Sequence, residues 1–368
     1  LAEARDTQTM LKCLRQQGPV YDVKDAGTTM RFLTAFLSVT TANVEITGTS
    51  RMLQRPIKIL VEALNSLGAD IAYLGEEGYP PLKINEFGAQ LTNELEISGS
   101  VSSQYISAML MIAPTLPQGL KLRLTGEIVS KPYIDMTLSL MEHFGIKVHT
   151  NDNIFEVQTQ TYTFQPFSVE SDWSGVSYWY SFFKLSDLTT LELPGFRSTS
   201  FQGDKSIAEI MNAFGVKTTY RSSGITLSRQ EAQLPQQLDF ITCPDLAQTV
   251  AVVCAAIGHS CVFKGLHTLK IKETDRIAAL SKELSKFGAD FIDEGDIWRV
   301  VPATVAITSF DTLVFNTYED HRMAMAFAPL GLFTKVVFDD YAVVNKSYPS
   351  FWNDMKSIGM QVTTEATI

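Results

Sequence analysis

Two kinds of hydrophobic pattern alternate along the chain. In one, apolar residues recur with helical spacing on a single face, the helix stops at a glycine, and a short run with strand character follows. LVEALNSLGADIAYL, LSLMEHFGIKVHT, IAEIMNAFGVKTTY, LSKELSKFGADFID and FWNDMKSIGMQVTT are copies, and LKCLRQQGPVYDV is a weaker sixth. Their glycines (Gly68, Gly145, Gly215, Gly288, Gly359) recur roughly every 70–77 residues, the spacing of a structural repeat. Each glycine suits the residue after a helix, where a positive φ is needed. Pro56, Pro132 and Pro349 are expected in the first turns of three of these helices, where a missing N–H does no harm.

In the other pattern, a polar start leads into a helix that is apolar nearly all round: GTTMRFLTAFLSV, VSSQYISAMLMIA, DWSGVSYWYSFFKL, PDLAQTVAVVCAAIG and DHRMAMAFAPLGLF. Such helices belong inside a core. Strands are expected after each, over NVEITG, LKLRLTG, TTLELPG, SCVFKG and KVVFDD. The alternation predicts six βαβαββ-like units, three per domain. It places a domain boundary near residue 168, giving domains 1–168 and 169–368. Six amphipathic helices against five apolar ones imply a further apolar helix ahead of Leu1.

A length of 368 residues is itself more than one hydrophobic core usually holds. The balance of 45% hydrophobic and 19% charged residues is that of a folded protein. A net charge of -10 argues against non-specific binding to nucleic acid, though not against an anionic small molecule met by local cations. Cys13, Cys243, Cys254 and Cys261 show neither metal-site nor disulfide-framework spacing and are expected to be reduced thiols.

The candidate chemistry sits at the polar ends of the apolar helices, because helix N-termini carry free N–H groups that bind anions. In Asp25–Arg31, Thr28 and Thr29 are candidate caps, Gly27 admits a ligand to the backbone, and Arg31 adds charge. Ser98–Gln104 concentrates hydroxyls suited to phosphate oxygens. Arg55 and Lys131 each precede a proline at a positive helix end; such a cation calls for an anionic ligand or a neighbouring carboxylate. Lys270–Arg276 is expected to open a helix with Lys272 and Arg276 on one face beside Glu273, either a salt-bridged helix start or an anion clamp next to an acid. Tyr318–Met323 puts charges against a buried helix, which requires partners or a ligand. Asn345–Pro349 and Cys243–Asp245 complete the set, with Asp245 a possible helix cap. No metal motif, nucleophile elbow, phosphate loop or intact dinucleotide fingerprint is present in the sequence.

Taken in order, DAGTTMR, GSVSSQ, VSKPYID, IKETDR and YEDHRMAM, with KSYP near the end, resemble the 3-phosphoshikimate 1-carboxyvinyltransferase (EPSP synthase) family along nearly the whole chain. The resemblance implies an α/β fold of two domains, each a pseudo-threefold cluster of βαβαββ units, closing over substrate. It implies transfer of the enolpyruvyl group of phosphoenolpyruvate to the 5-hydroxyl of shikimate 3-phosphate in the shikimate pathway, with release of phosphate. No metal or organic cofactor is implied, and the expected form is a cytoplasmic monomer acting on two small molecules, with no nucleic-acid or membrane partner. By motif, Ser102, Ser103, Gln104, Ser130, Tyr133, Asp245 and Lys272 would bind shikimate 3-phosphate. Gly27, Arg55, Arg276, Arg322 and Lys346 would bind phosphoenolpyruvate. Asp245 and Glu273 would be the catalytic acid–base pair, and Arg31 would brace its loop. The first domain is thereby the shikimate 3-phosphate side and the second the side of phosphoenolpyruvate and the catalytic acids.

The sequence departs from the family where Asp25 and Thr268 replace the usual asparagines. The family's Gly-Ser-Lys-Ser-x-Ser-x-x-Arg segment is not found in it. The related UDP-N-acetylglucosamine enolpyruvyl transferases use a loop cysteine, and none of the four cysteines sits in such a loop. Sensitivity to glyphosate is an expectation from Gly27.

Overall fold

The computed structural model describes residues 2–16, 18–41 and 43–364. These described residues divide into two compact units: residue 2 with those from 6 to 169, and residues 3–5 with those from 170 to 364. Each unit has its own hydrophobic core, one running from Cys13 to Val157 and the other from Trp173 to Met355.

In the first unit the elements are α1 (Arg5–Arg15), β1 (Val20–Asp22), α2 (Gly27–Thr40), β2 (Val44–Thr47), α3 (Lys58–Leu67), β3 (Ile71–Tyr73) and β4 (Leu82–Ile84). They continue as β5 (Glu94–Ser98), α4 (Ser103–Ile112), β6 (Leu120–Thr125), α5 (Lys131–His143), β7 (Val148–Asn151) and β8 (Ile154–Val157). The second unit holds α6 (Trp173–Leu185), β9 (Thr190–Pro194), α7 (Ile207–Ala213), β10 (Val216–Tyr220), β11 (Gly224–Arg229) and β12 (Gln237–Asp239). Then come α8 (Ala247–Ala256), β13 (Cys261–Lys264), α9 (Arg276–Ser285), β14 (Asp290–Asp293), β15 (Ile297–Val301), β16 (Thr312–Phe315), α10 (His321–Phe327), β17 (Lys335–Phe338) and α11 (Phe351–Ser357).

The sheets expose the repeat directly. Three have four strands in one order: β1-β2-β4-β3, β5-β6-β8-β7 and β12-β13-β15-β14. In each, the first two strands are parallel and the rest antiparallel, as a βαβαββ unit requires. The sheet β10-β11-β9 is the same order without its first strand, and β16-β17 is the first parallel pair alone. Among the described residues, then, three units are complete and two are partial.

The two helix types separate as the patterns predict. Every residue of α10, and every residue from Ala247 to Ala255 in α8, is buried. By contrast α3 buries Leu60, Val61, Leu64 and Leu67 on one face and leaves Lys58 and Glu62 outside. The repeat glycines all have positive φ, from 82° at Gly288 to 114° at Gly68. At Gly68 a Cβ would also lie 2.3 Å from the Ala89 carbonyl oxygen, so a side chain is excluded by space as well as by torsion.

Four local expectations are corrected. Pro132 does sit in the first turn of α5, but Pro56 and Pro349 each lie two residues ahead of their helices, in the approach rather than the first turn. Thr28 and Thr29 lie inside α2, whose N-cap is Ala26 with no side-chain acceptor. The helix expected from Lys270 begins at Arg276, because Asp275 caps it by accepting from the Ile277 and Ala278 N–H groups. No strand forms over Met360–Thr364. In the complete units the third strand pairs with the fourth, and no fourth strand follows α11 among the described residues.

Among the described residues no helix is long and apolar enough to cross a membrane.

Candidate functional site

In the first unit three polar loops meet at the N-terminal ends of α2, α4 and α5. Gln104 donates to the Thr28 hydroxyl at 2.9 Å, joining the start of α4 to that of α2. Tyr105 Oη and Arg31 Nη2 both donate to the Pro56 carbonyl, at 2.5 and 3.2 Å, which fixes the backbone beside Arg55. Val129 N–H donates to the Gly99 carbonyl at 3.0 Å, and a Cβ on Gly99 would press on Glu127 and Ile128, so the serine loop lies flat against the loop that leads into α5.

Within this frame Ser102 caps α4 by accepting from Gln104 N–H, while Ser98 and Ser100 share a 2.8 Å hydroxyl contact. Ser130 is buried in a left-handed conformation, φ 58°, unusual for a residue with a Cβ and a sign that the surroundings hold it there. The Tyr133 N–H donates to the Ser130 carbonyl at 3.1 Å.

Gly27 has a concrete reason to lack a side chain. A Cβ there would lie 2.5 Å from Arg55 Nη1 and 2.8 Å from Nη2, so the buried Arg55 guanidinium rests on the first turn of α2. A guanidinium at a positive helix end is unfavourable by itself and becomes favourable when an anion binds both. Arg31 is buried and donates to the Gly27 carbonyl at 3.1 Å as well as to Pro56, bracing this loop. Lys131 pairs with Asp135 one turn along α5, at 2.6 Å, so the neighbouring carboxylate that was one of its two explanations is present.

In the second unit Asp245, Lys272, Glu273, Arg276 and Arg322 form one largely buried ionic cluster. Asp245 sits in a short 3-10 turn, Pro244–Leu246, ahead of α8, and does not cap the helix. Its carboxylate receives Arg276 Nη1 at 2.9 Å and Arg322 Nη2 at 3.0 Å, with Lys272 Nζ at 3.7 Å. Arg276 also reaches Glu273 at 2.8 Å and Asp320 at 2.5 Å. Burial alone would raise the Asp245 pKa, but Arg322, Lys272 and Arg276 hold it well below the usual carboxylate range. Burial likewise opposes charge on Arg276, and Asp320, Glu273 and Asp245 overcome it, keeping the guanidinium protonated. Lys346 is buried at the end of a 3-10 stretch, Tyr341–Lys346, that packs on α10.

Three further members of this cluster had no individual role assigned from the sequence. Asp320 is fully buried, caps α10 by accepting from Arg322 N–H at 2.9 Å, and is the tightest partner of Arg276. Tyr178, on α6, accepts from Arg322 Nη1 at 3.4 Å, and burial pushes its hydroxyl up to about 12. His321 is buried between Asp320 and Arg322; burial pushes its pKa down to about 4, so it is neutral at pH 7. The charged run YEDHRM signalled the location of Asp320 and His321, but nothing local marked their partners.

The candidate sets are thus divided between the units. Gly27, Arg55, Ser102, Ser103, Gln104, Ser130 and Tyr133 lie in the first, and Asp245, Lys272, Glu273, Arg276, Arg322 and Lys346 in the second.

This architecture, repeated βαβαββ units in two bodies with polar helix ends, is the enolpyruvyl transferase fold. EPSP synthase from Acinetobacter baumannii superimposes with a TM-score of 0.75 at 19% identity, covering 98% of this chain and 89% of that one. An enolpyruvyl transferase from Streptomyces tendae does so at 0.62 and 13% identity, covering 83% and 71%.

The model of the family described as EPSP synthase (3-phosphoshikimate 1-carboxyvinyltransferase) matches residues 2–355. The 3-phosphoshikimate 1-carboxyvinyltransferase of Bacteroides fragilis is 48% identical over 98% of this chain and 88% of its own length. That of Neisseria meningitidis is 36% identical over 91% and 78%. The chain belongs to the EPSP synthase family.

Proposed function

We propose that the chain transfers the enolpyruvyl group of phosphoenolpyruvate to the 5-hydroxyl of shikimate 3-phosphate, releasing phosphate. The observation that carries this reading is the second unit's buried cluster. Two arginines and a lysine are gathered around a carboxylate, a second carboxylate lies beside them, and a further lysine is buried nearby. A small, multiply charged anion needs guanidinium forks of this kind, and addition to its double bond needs groups that exchange protons.

On this reading Arg276, Arg322 and Lys346 take the donor. Ser102, Ser103, Gln104, Ser130 and Tyr133 take the acceptor's phosphate and ring hydroxyls. The first-unit groups are hydroxyls, an amide and helix N–H groups, which suit oxygen-rich ligands.

Asp245 is ionised but weakly basic while its cations surround it. A donor carboxylate or phosphate binding Arg276 and Arg322 competes for those guanidinium donors, so the proton affinity of Asp245 rises as the donor binds. Asp245 then accepts the 5-hydroxyl proton as that oxygen attacks C2 of the donor, and Glu273 exchanges the proton at the methylene carbon. Loss of that proton and of phosphate regenerates the double bond, leaving the enolpyruvyl ether. The reading includes a cytoplasmic monomer without metal or organic cofactor. The loop-cysteine chemistry of the rival transferases has no counterpart in Cys13, Cys243, Cys254 or Cys261, all buried free thiols.

The test is phosphate release with both substrates. Turnover that requires both supports the reading, and none with either order of addition rejects it. Asp245→Asn and Glu273→Gln are each expected to lower turnover by about 10²–10⁴-fold with the fold retained; near-normal rates would remove those roles.

A further inference from the structure

Helix α9 grips the segment Asn316–Asp320 at two points. Its first residue, Arg276, holds Asp320. Seven residues on, two turns along the same face, the fully buried Glu283 accepts from the Asn316 N–H at 2.9 Å and from the Tyr318 hydroxyl at 2.6 Å. Its charge is met by Lys286 at 2.5 Å, which also donates to the Val314 carbonyl.

Between the two grips the backbone is held in an unfavourable shape. Tyr318 and Glu319 have φ of 55° and 58°, consecutive left-handed residues that both carry side chains. The turn is pinned further by Asp339, which accepts from Thr317 N–H and hydroxyl at 2.8 and 2.9 Å, and by the Asp320 N–H to Thr317 carbonyl bond. It leads directly into the Asp320 cap and Arg322. The orientation of Arg322 relative to Arg276 therefore depends on a strained turn held from α9.

We propose that Glu283 is a positioning residue for the anion-binding arginines: by clamping Asn316 and Tyr318 it sets the left-handed turn that places Asp320 and Arg322 against Arg276. Burial and the adjacent Glu283 carboxylate raise the Tyr318 pKa, so its hydroxyl remains a donor across the working pH range. The link from this geometry to donor binding rests on the proposed function; the link from Glu283 to the turn does not.

The experiment compares the full chain with Glu283→Gln, which keeps size but presents N–H groups towards donors, and with Tyr318→Phe, which removes one bond and keeps the ring. Hydrogen exchange of the amides at 318–323 is expected to quicken about tenfold in Glu283→Gln, while amides of β12 and β13 stay unchanged. The KM for phosphoenolpyruvate is expected to rise about tenfold, with that for shikimate 3-phosphate within twofold. Adding Glu319→Gly, which relieves the torsion at that exposed position, is expected to restore part of the donor KM. Unchanged exchange at 318–323 overturns the proposal, as does quickened exchange with both KM values unaltered. Absence of turnover in the unmutated chain would defeat the functional reading, while the exchange measurement would still decide whether Glu283 holds the turn.

Discussion

The two units assemble their candidate sites in different ways. The first uses helix N-termini and hydroxyls: Ser102 caps its own helix, Gln104 is tied to Thr28 of α2 by a neutral hydrogen bond, and one guanidinium, Arg55, lies against Gly27. The second uses full charges, with Arg276 and Arg322 buried among Asp245, Glu273 and Asp320. Dipoles and hydroxyls are cheap to bury and bind oxygens without needing counter-charges. Buried guanidinium groups are costly unless carboxylates accompany them, so the second site carries its own anions, and a ligand anion would have to compete with them. On the proposed function, the hydroxyl-rich site is assigned to the sugar-like acceptor and the ionic site to the donor.

This contrast predicts unequal sensitivity to mutation. Asp320→Ala removes the closest partner of a fully buried arginine and is expected to cost about 3–5 kcal/mol in urea denaturation; a loss below about 1 kcal/mol would show that the remaining carboxylates suffice. Next comes acidification. His321 titrates near its ordinary value, about 6.5, when unfolded and at about 4 when folded, so the unfolded chain binds the extra proton between these values. Stability should therefore fall as pH drops through that window, by roughly 3 kcal/mol from this residue. The depressed Asp245 pKa adds a further loss as the pH falls below its unfolded value near 4. His321→Gln is expected to flatten the upper part of the slope, and an unchanged slope would show that His321 does not cause it. In the first unit Ser102→Ala removes a helix cap and is expected to cost about 1 kcal/mol by the same denaturation measurement. Least of all, Lys131→Ala breaks an exposed pair with Asp135 and should change stability by no more than about 0.5 kcal/mol. A large effect of Lys131→Ala on acceptor KM would place that lysine in the site after all.

Much of the framework was legible because it repeats. Five glycines at matching helix ends share a positive φ, and α8 and α10 are buried throughout, as their unbroken apolar character requires. Helix boundaries were less legible. Lys270–Arg276 read as one charged helix start, yet Asp275 captures the first free N–H groups and α9 begins one residue later. Pro56 and Pro349 were compatible with first-turn positions, but each helix starts two residues beyond its proline.

The candidate site was legible as a set of short motifs and not as a network. GSVSSQ and IKETDR named the residues, because small hydroxyls and clustered charges ahead of apolar helices stand out in one dimension. What each side chain touches was not readable. Arg276 and Asp320 are 44 positions apart, Asp245 and Arg322 are 77 apart, and Tyr178 and Arg322 are 144 apart. Glu283 looked like an ordinary polar residue of an amphipathic helix, and its burial follows only from the packing of α9 beside the Asn316–Asp320 turn.

By itself the sequence determined the repeat, the two classes of helix and the polar helix ends, because hydrophobic periodicity, glycine torsion and capping act over a few residues. The tertiary structure alone decided which carboxylate answers which arginine, that Asp245 is a partner of cations rather than a cap, and that two left-handed residues can persist beside the cluster. Those outcomes depend on burial and on charges brought together from distant positions, and the energy of a buried charge is set by what surrounds it in space.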